Sequence, residues 1–219
     1  MSANIDNIIS SRFYVGTLKR FANPKTSKYW ADVINNVVVF DPEKQAEQLE
    51  KAKEKVDSVK SQEGNILVMM DKWLYREEIE QLCEQKNISY LNYNIPAGVF
   101  TNFSTLLSRV EYMNELERFI NSEDFNKITK KERLDTQRKL NKLKIIYKGV
   151  RNITKKPDLV IIFDGMYLSS FVNEVEKDGI ESIVLSSSDF DRYWKSWNIV
   201  FGNVNSYSSI EYFANYLLN

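Results

Sequence analysis

A parallel α/β sheet is the fold this sequence predicts, on two observations. Five short apolar runs, at residues 66–70, 88–93, 159–163, 183–185 and 199–201, have the length of strands. Between them lie stretches whose apolar residues recur at helical spacing, at 75–85, 103–147, 167–177 and 210–218. Strands that are apolar at consecutive positions are buried on both faces, so helices must cover the sheet above and below. The order is that of a five-stranded, flavodoxin-like or Rossmann-like layered fold. A chain of 219 residues with 43% apolar content can bury such a core.

A polar lead and the segment RFYVGTLKRFANPKTSKYW, residues 12–30, come first. Asn23-Pro24 marks a turn, because proline ends a helix that would pass through it. Arg20, Lys25 and Lys28 stand beside Phe21, Tyr29 and Trp30, a mixture that offers phosphate contacts next to planar stacking surfaces. Composition equally allows those aromatics to pack inward and leave only the charges outside. Residues 37–40 form a short strand stopped by Asp41-Pro42, and residues 43–62 a charged helix of alternating sign suited to an outer layer.

Residues 95–150 hold the longest helical periodicity. Phe103, Leu106, Leu107, Val110, Met113, Leu116, Phe119 and Ile120 line one stripe, a polar break follows at 121–124, and Leu134, Leu140, Leu143, Ile146 and Tyr147 line a second. Two helices and a polar turn predict an antiparallel hairpin, inserted between the second and third sheet strands as a projecting arm. Residues 1–94 and 151–219 then form the layered domain, with a loop at 11–30.

The formal net charge is zero but unevenly distributed. Residues 11–29 carry five basic side chains and no acid, and residues 127–156 carry twelve against Glu132 and Asp135, so the remaining chain is correspondingly acidic. Glu111, Glu115 and Glu117 on the first arm helix can pair with part of the second helix's charge; the excess favours a polyanion, nucleic acid phosphate above all. The sequence contains no histidine and one cysteine, Cys83, within a helical pattern. Histidine-based zinc sites, triads and general bases are thereby excluded, as is an intramolecular disulfide. No apolar run approaches a membrane span, and the first residues lack the basic and apolar regions of an export or transit peptide.

Ligands of such sheets sit at the carboxyl ends of strands. Asp71, Asp164 and Asp189 fall there, and three acids at adjacent ends would hold magnesium for phosphoryl transfer. Against this, Asp and Ser are ordinary caps and turn formers after strands, and the glycines that cradle phosphate are missing. Tyr193, Trp194 and Trp197 beside Arg192 and Lys195 either stack on a partner or pack a late segment on the sheet.

Taken together, several segments resemble the bacterial-type family of small-subunit ribosomal protein S2. Gly16, Arg20, Asn23, Pro24, Lys25 and Tyr29 are similar to that family's rRNA-facing loop, and Gly98, Thr101, Asn102 and Phe103 to its entry into a helical hairpin. Residues 128–132, Lys142-Leu143, Gly149-Val150, residues 157–164, Gly179-Ile180 and Gly202-Asn203 follow in the family's order. The resemblance covers nearly the whole chain from about Tyr14. It implies a non-enzymatic constituent of the small ribosomal subunit, a flavodoxin-like domain with a coiled-coil arm. Its partners would be small-subunit rRNA and neighbouring ribosomal proteins, with no cofactor, membrane or small-molecule substrate. The rRNA-binding candidates are Gly16, Lys19, Arg20, Asn23, Pro24, Lys25 and Lys28 in the loop, Thr101 and Asn102 at the hairpin entry, and Lys130, Lys131 and Arg133 on the second arm helix.

Some positions depart from the family. Tyr14 and Thr17 stand where it has histidines, Ala22 where it has tryptophan, and Asn94-Ile95-Pro96 where it has arginine and tryptophan. A metal on those histidines has no ligands here. Drift of this size, in a chain rich in Asn, Ile, Lys and Tyr, suits an organelle-encoded gene, with a mitochondrial ribosome as the expected location and a bacterial cytoplasm as the alternative. A coiled-coil adaptor without RNA is the third reading.

Overall fold

The structure, a computed structural model, describes residues 4–191 and 198–219. Asn4 starts α1 (Ile5–Ser10) by accepting the Asp6 N–H at 2.9 Å, and Ile8 anchors that helix in the core. A small antiparallel sheet follows, built from β1 (Val15–Leu18), β2 (Trp30–Ile34) and β3 (Val37–Phe40) in the order β1-β3-β2. Asn35 and Asn36 join β2 to β3 with φ of 50° and 62°, the paired positive values a tight hairpin demands and asparagine tolerates. Only β3 has an unbroken apolar run. The expectation of a single strand here therefore missed two partners whose side chains are half-exposed or exposed.

Asp41 caps α2 (Pro42–Ser61), with proline in the first turn, where its missing N–H costs nothing. One stripe of this charged helix, Leu49, Ala52, Val56 and Val59, is buried. Next come β4 (Ile66–Met69), α3 (Arg76–Lys86), β5 (Ser89–Leu91), the pair α4 (Phe103–Ile120) and α5 (Lys130–Tyr147), then β6 (Leu159–Phe163), α6 (Ser169–Asp178), β7 (Glu181–Ser186), β8 (Asn198–Phe201) and α7 (Tyr207–Leu218). The five strands pair in parallel in the order β5-β4-β6-β7-β8, the flavodoxin-like sequence in which the second strand lies outside the first. Register is continuous, Met69 opposite both Leu91 and Ile162, and Ile162 opposite Val184.

Alternate residues of each strand feed two cores. Val68, Ile161, Ile183 and Leu185 meet α2, α3 and α7; Leu67, Met69, Val160, Ile162 and Val184 meet α4, α5 and α6. This two-sided burial is what the consecutive apolar residues report. Cys83 is fully buried in the first core, and burial pushes its thiol up to about 12, so it is a packing group.

The helix pair is rooted in the second core. Phe103, Leu106, Val110 and Met113 of α4 and Leu140 and Tyr147 of α5 belong to the same apolar cluster as the sheet. Glu117 binds Lys144 and Arg151, tying the end of α4 to the end of α5 and the turn beyond it. Thr129 and Glu132 form a reciprocal capping box at the start of α5. Leu134, expected on the apolar stripe, is 51% exposed: α5 packs inward only from Leu140 onward.

Gly149 closes this root. A Cβ there would overlap the Tyr90 carbonyl and ring. Gly149→Ala is expected to lower stability by about 1–3 kcal/mol, read as a lower urea midpoint with an unchanged slope.

Candidate nucleic-acid interface

The basic N-terminal loop is braced by the end of β7. Asn23 begins a 3-10 turn, Pro24–Tyr29, by accepting the Lys25 N–H at 3.0 Å, while its own N–H donates to the Ser188 carbonyl at 2.8 Å and its side-chain amide to the Phe190 carbonyl at 3.3 Å. Thr26, fully buried, donates to the Asn23 carbonyl and accepts the Trp30 indole N–H at 3.0 Å. The Thr17 N–H donates to Ser188 Oγ at 3.0 Å, and the two hydroxyls lie 2.6 Å apart. Gly16 suits this closeness, since a Cβ would stand 3.0 Å from Ser188 Oγ and 3.1 Å from the Val38 side chain and press on both. Ser188 itself is fully buried.

This frame decides which aromatics face outward. Tyr29 packs on Phe201 with ring centroids 4.8 Å apart, and Trp30 is half-buried against the core. Phe21 is 60% exposed with the Arg20 guanidinium 4.5 Å over its ring. Lys19, Arg20, Lys25 and Lys28 are exposed, and Leu18, Lys19, Arg20 and Asn36 line an open recess of about 560 Å³. The loop thus presents cations and one planar face, with its remaining aromatics serving as anchors.

At the hairpin entry, the backbone N–H groups of Gly98 and Phe100 donate to the two carboxylate oxygens of Glu174 on α6, at 2.9 and 3.4 Å. Thr101 and Asn102 are exposed, and Asn102 makes no side-chain cap bond to α4. On α5 and the turn after it, acids neutralise part of the charge. Arg138 faces Asp135, Lys144 and Arg151 face Glu117, and Lys148 lies between Glu80 and Glu84 at 2.9 and 2.7 Å. Among the described residues Lys130, Lys131, Arg133, Lys139 and Lys142 form no ion pair. Lys131, Lys139 and Lys142 share the solvent side of the helix, opposite Leu140 and Tyr147, at spacings of eight and eleven. Arg133 is instead half-buried. Lys139, Lys142 and the Ser188 brace are not among the rRNA-binding candidates named from sequence. The lysine spacing was readable as a face; the brace joins residues 171 apart in the chain.

The three strand-end carboxylates are engaged separately. Asp71 accepts the Asn94 N–H at 2.9 Å and lies 3.9 Å from the Arg76 guanidinium. Asp164 is buried, pairs with Lys72 and accepts the Tyr167 N–H at 3.1 Å. Asp189 has one carboxylate oxygen buried without a hydrogen-bond partner, and loss of hydration, aided by the charge of Asp164, moves its carboxyl above the usual range. Among the described residues no three His, Cys, Asp or Glu side chains are disposed to hold a metal ion, so the magnesium reading lacks its shared site. Tyr193, Trp194 and Trp197, with Arg192 and Lys195, lie outside the described residues. No described helix is long and apolar enough to cross a membrane.

The sequence profile of Ribosomal protein S2 matches residues 8–219. The chain belongs to the ribosomal protein S2 family. Small ribosomal subunit protein uS2 of Micrococcus luteus is 30% identical over 186 residues, 84% of this chain and 65% of that protein. The uS2 proteins of Fusobacterium nucleatum and Rickettsia felis are 28% and 29% identical, over 86% and 80% of this chain and 76% and 60% of their own lengths. The chain therefore spans between 60% and 76% of these S2-family relatives.

Two outcomes follow from this geometry. Ser188→Ala removes the partner of the Thr17 N–H and hydroxyl, and is expected to speed amide exchange across residues 16–26 by about tenfold, one lost hydrogen bond's worth, with the sheet unaffected. Asp189 keeps its proton to higher pH folded than unfolded, so its contribution to stability falls as pH rises through that window and is unfavourable when ionised. Asp189→Asn should raise the urea midpoint at neutral pH and change it little in acid, where the wild-type carboxyl is already protonated.

Proposed function

We propose that the chain is a structural constituent of the small ribosomal subunit that binds small-subunit rRNA and neighbouring ribosomal proteins. What supports this reading is a set of cations that, among the described residues, form no ion pair, on a protein of zero net charge. Lys19 and Arg20 stand on a loop held rigid by buried hydrogen bonds, and Lys131, Lys139 and Lys142 on one face of α5. Phosphate oxygens are the ligand such a layout fits, with Phe21 as a stacking face for an unpaired base. Thr101 and Asn102 add exposed polar groups at the hairpin entry, and Gly16, Asn23 and Pro24 shape the loop. Of the arm residues expected from sequence, Lys130 and Lys131 stay in this reading, and Arg133 has the less exposed part.

In this reading residues 95–150 are an arm inserted into the layered domain of 1–94 and 151–219, with the paired helices acting as a short coiled coil. The protein holds RNA and does no chemistry. A neutral body weakens attraction to naked RNA, so it joins a site already formed by other components. The Asn-, Ile-, Lys- and Tyr-rich composition supports a mitochondrial ribosome; the bacterial origin of the relatives supports the alternative, a bacterial one.

Sucrose-gradient sedimentation of the tagged protein with small subunits tests this. Lys131→Glu, Lys139→Glu and Lys142→Glu combined should release the protein at markedly lower salt and reduce the salt slope of attachment by about 2–3. Lys155→Glu, which reverses a cation already paired with Asp158, is the control and should change it little. Unaltered attachment of the triple variant would favour an adaptor without RNA.

A further inference from the structure

The carboxyl edge of the sheet bears a second surface, opposite in character to the basic one. The Lys72 ammonium, just after β4, pairs with Asp164 after β6 and donates to the Val204 carbonyl at 3.2 Å and Asn205 Oδ1 at 2.9 Å after β8. One cation thus ties three strand-end loops together. Each of those loops leaves large apolar side chains in solvent: Trp73 is 80% exposed, Tyr167 60%, Met166 43% and Tyr207 42%. Single exposed apolar residues are ordinary; a set gathered from three loops around one anchor marks an interaction surface.

The Tyr167 backbone and the Tyr207 ring are held in place. The Asp164 carboxylate accepts the Tyr167 N–H, which fixes the turn that carries Tyr167. Tyr207 stands edge-on to the buried Tyr75 ring at 4.9 Å, and its hydroxyl donates to Glu78 at 2.8 Å. The parts ordered beforehand give up little entropy on binding.

The charges select the partner. Glu78 and Glu211 act on both Tyr75 and Tyr207, and Asp71 and Glu77 flank the same loop. Among the described residues, Lys72 is committed as above and Arg76 to the Asn92 carbonyl at 2.8 Å and the face of Tyr93, while Arg12, whose carbonyl accepts the Asn203 side-chain amide, is an exposed cation at the rim. Glu77, Glu78 and Glu211 outnumber that cation, so phosphate is disfavoured, and a second copy would bring the same acids face to face. Indole and phenol faces beside carboxylates fit guanidinium and ammonium groups.

We propose that this edge docks an arginine- and lysine-rich segment of a protein partner. The surface is distinct from the basic loop and α5, so the inference stands or falls apart from the rRNA reading.

The test uses the full chain and a short fluorescein-labelled peptide of alternating arginine and glycine, followed by anisotropy. Trp73→Ala with Tyr167→Ala should weaken peptide binding about fivefold or more, while Trp73→Phe retains most of it. Both variants should keep the wild-type urea midpoint, because the side chains are exposed, and the wild-type salt resistance on small subunits. Affinity that is unchanged in the double variant and lost only on Glu77→Lys with Glu78→Lys would overturn the proposal, leaving general attraction to an acidic body. It would equally be overturned if a single-stranded RNA oligonucleotide bound more tightly than the peptide and lost that binding with Trp73→Ala.

Discussion

A parallel sheet with no wet face constrains everything else in this molecule. Because Leu67 and Met69 point one way and Val68 the other, with the same alternation in β6 and β7, both faces need helices, and charge has no place in the middle layer. Ionic groups are driven to the helix exteriors, the loops and the strand ends. The separation of the molecule into basic and acidic surfaces follows from this geometry, since each helix can wear one sign outside once its inner stripe is spent on the sheet. α5 spends Leu140 and Tyr147 that way and keeps Lys131, Lys139 and Lys142 for solvent.

The same constraint explains what became of the strand ends. In a layered fold of this order the crevice beside the carboxyl ends is the usual ligand position. Here much of it is filled by the protein's own structure. The buried Ser188 after β7 is consumed in holding Thr17, and its carbonyl takes Asn23. Asp164 after β6 is consumed by Lys72, and Asp71 by Asn94. Groups that in another protein would hold phosphate or metal instead lock a basic loop and three aromatic-bearing turns. At these positions the crevice serves as a brace.

How much of this was legible depended on whether the contacts involved were local. The five sheet strands and all the long helices could be read because their patterns repeat within a few residues. The strands β1 and β2 could not, since Val15–Leu18 and Trp30–Ile34 show no apolar run and their pairing is decided by β3. Leu134 was misplaced because a helical stripe predicts which residues share a face but not where the neighbouring helix stops covering it. Arg133 shares its basic run with Lys130 and Lys131 but is half-buried, whereas Lys139 and Lys142 are exposed. The loop residues from Gly16 to Lys28 were identified as a unit, yet the reason they form one, Ser188 and the Phe190 carbonyl, lies some 160 residues away or more in the chain.

The strength of a nucleic-acid surface depends on the cations it keeps unpaired and on the stiffness with which it holds them. On the first count the two ends of α5 differ. Toward its end, Lys144 and then Arg151 share Glu117, and Lys148 sits between Glu80 and Glu84, so these cations are committed to joining the helix pair to its neighbours. Toward its start, Thr129 and Glu132 satisfy each other in the capping box, and this removes the acid nearest Lys130 and Lys131 from competition for them. Glu132 is held in its charged form by the Thr129 backbone and hydroxyl rather than by a lysine. The cap is therefore doubly useful: it starts the helix, and it leaves the first-turn lysines available to an outside anion.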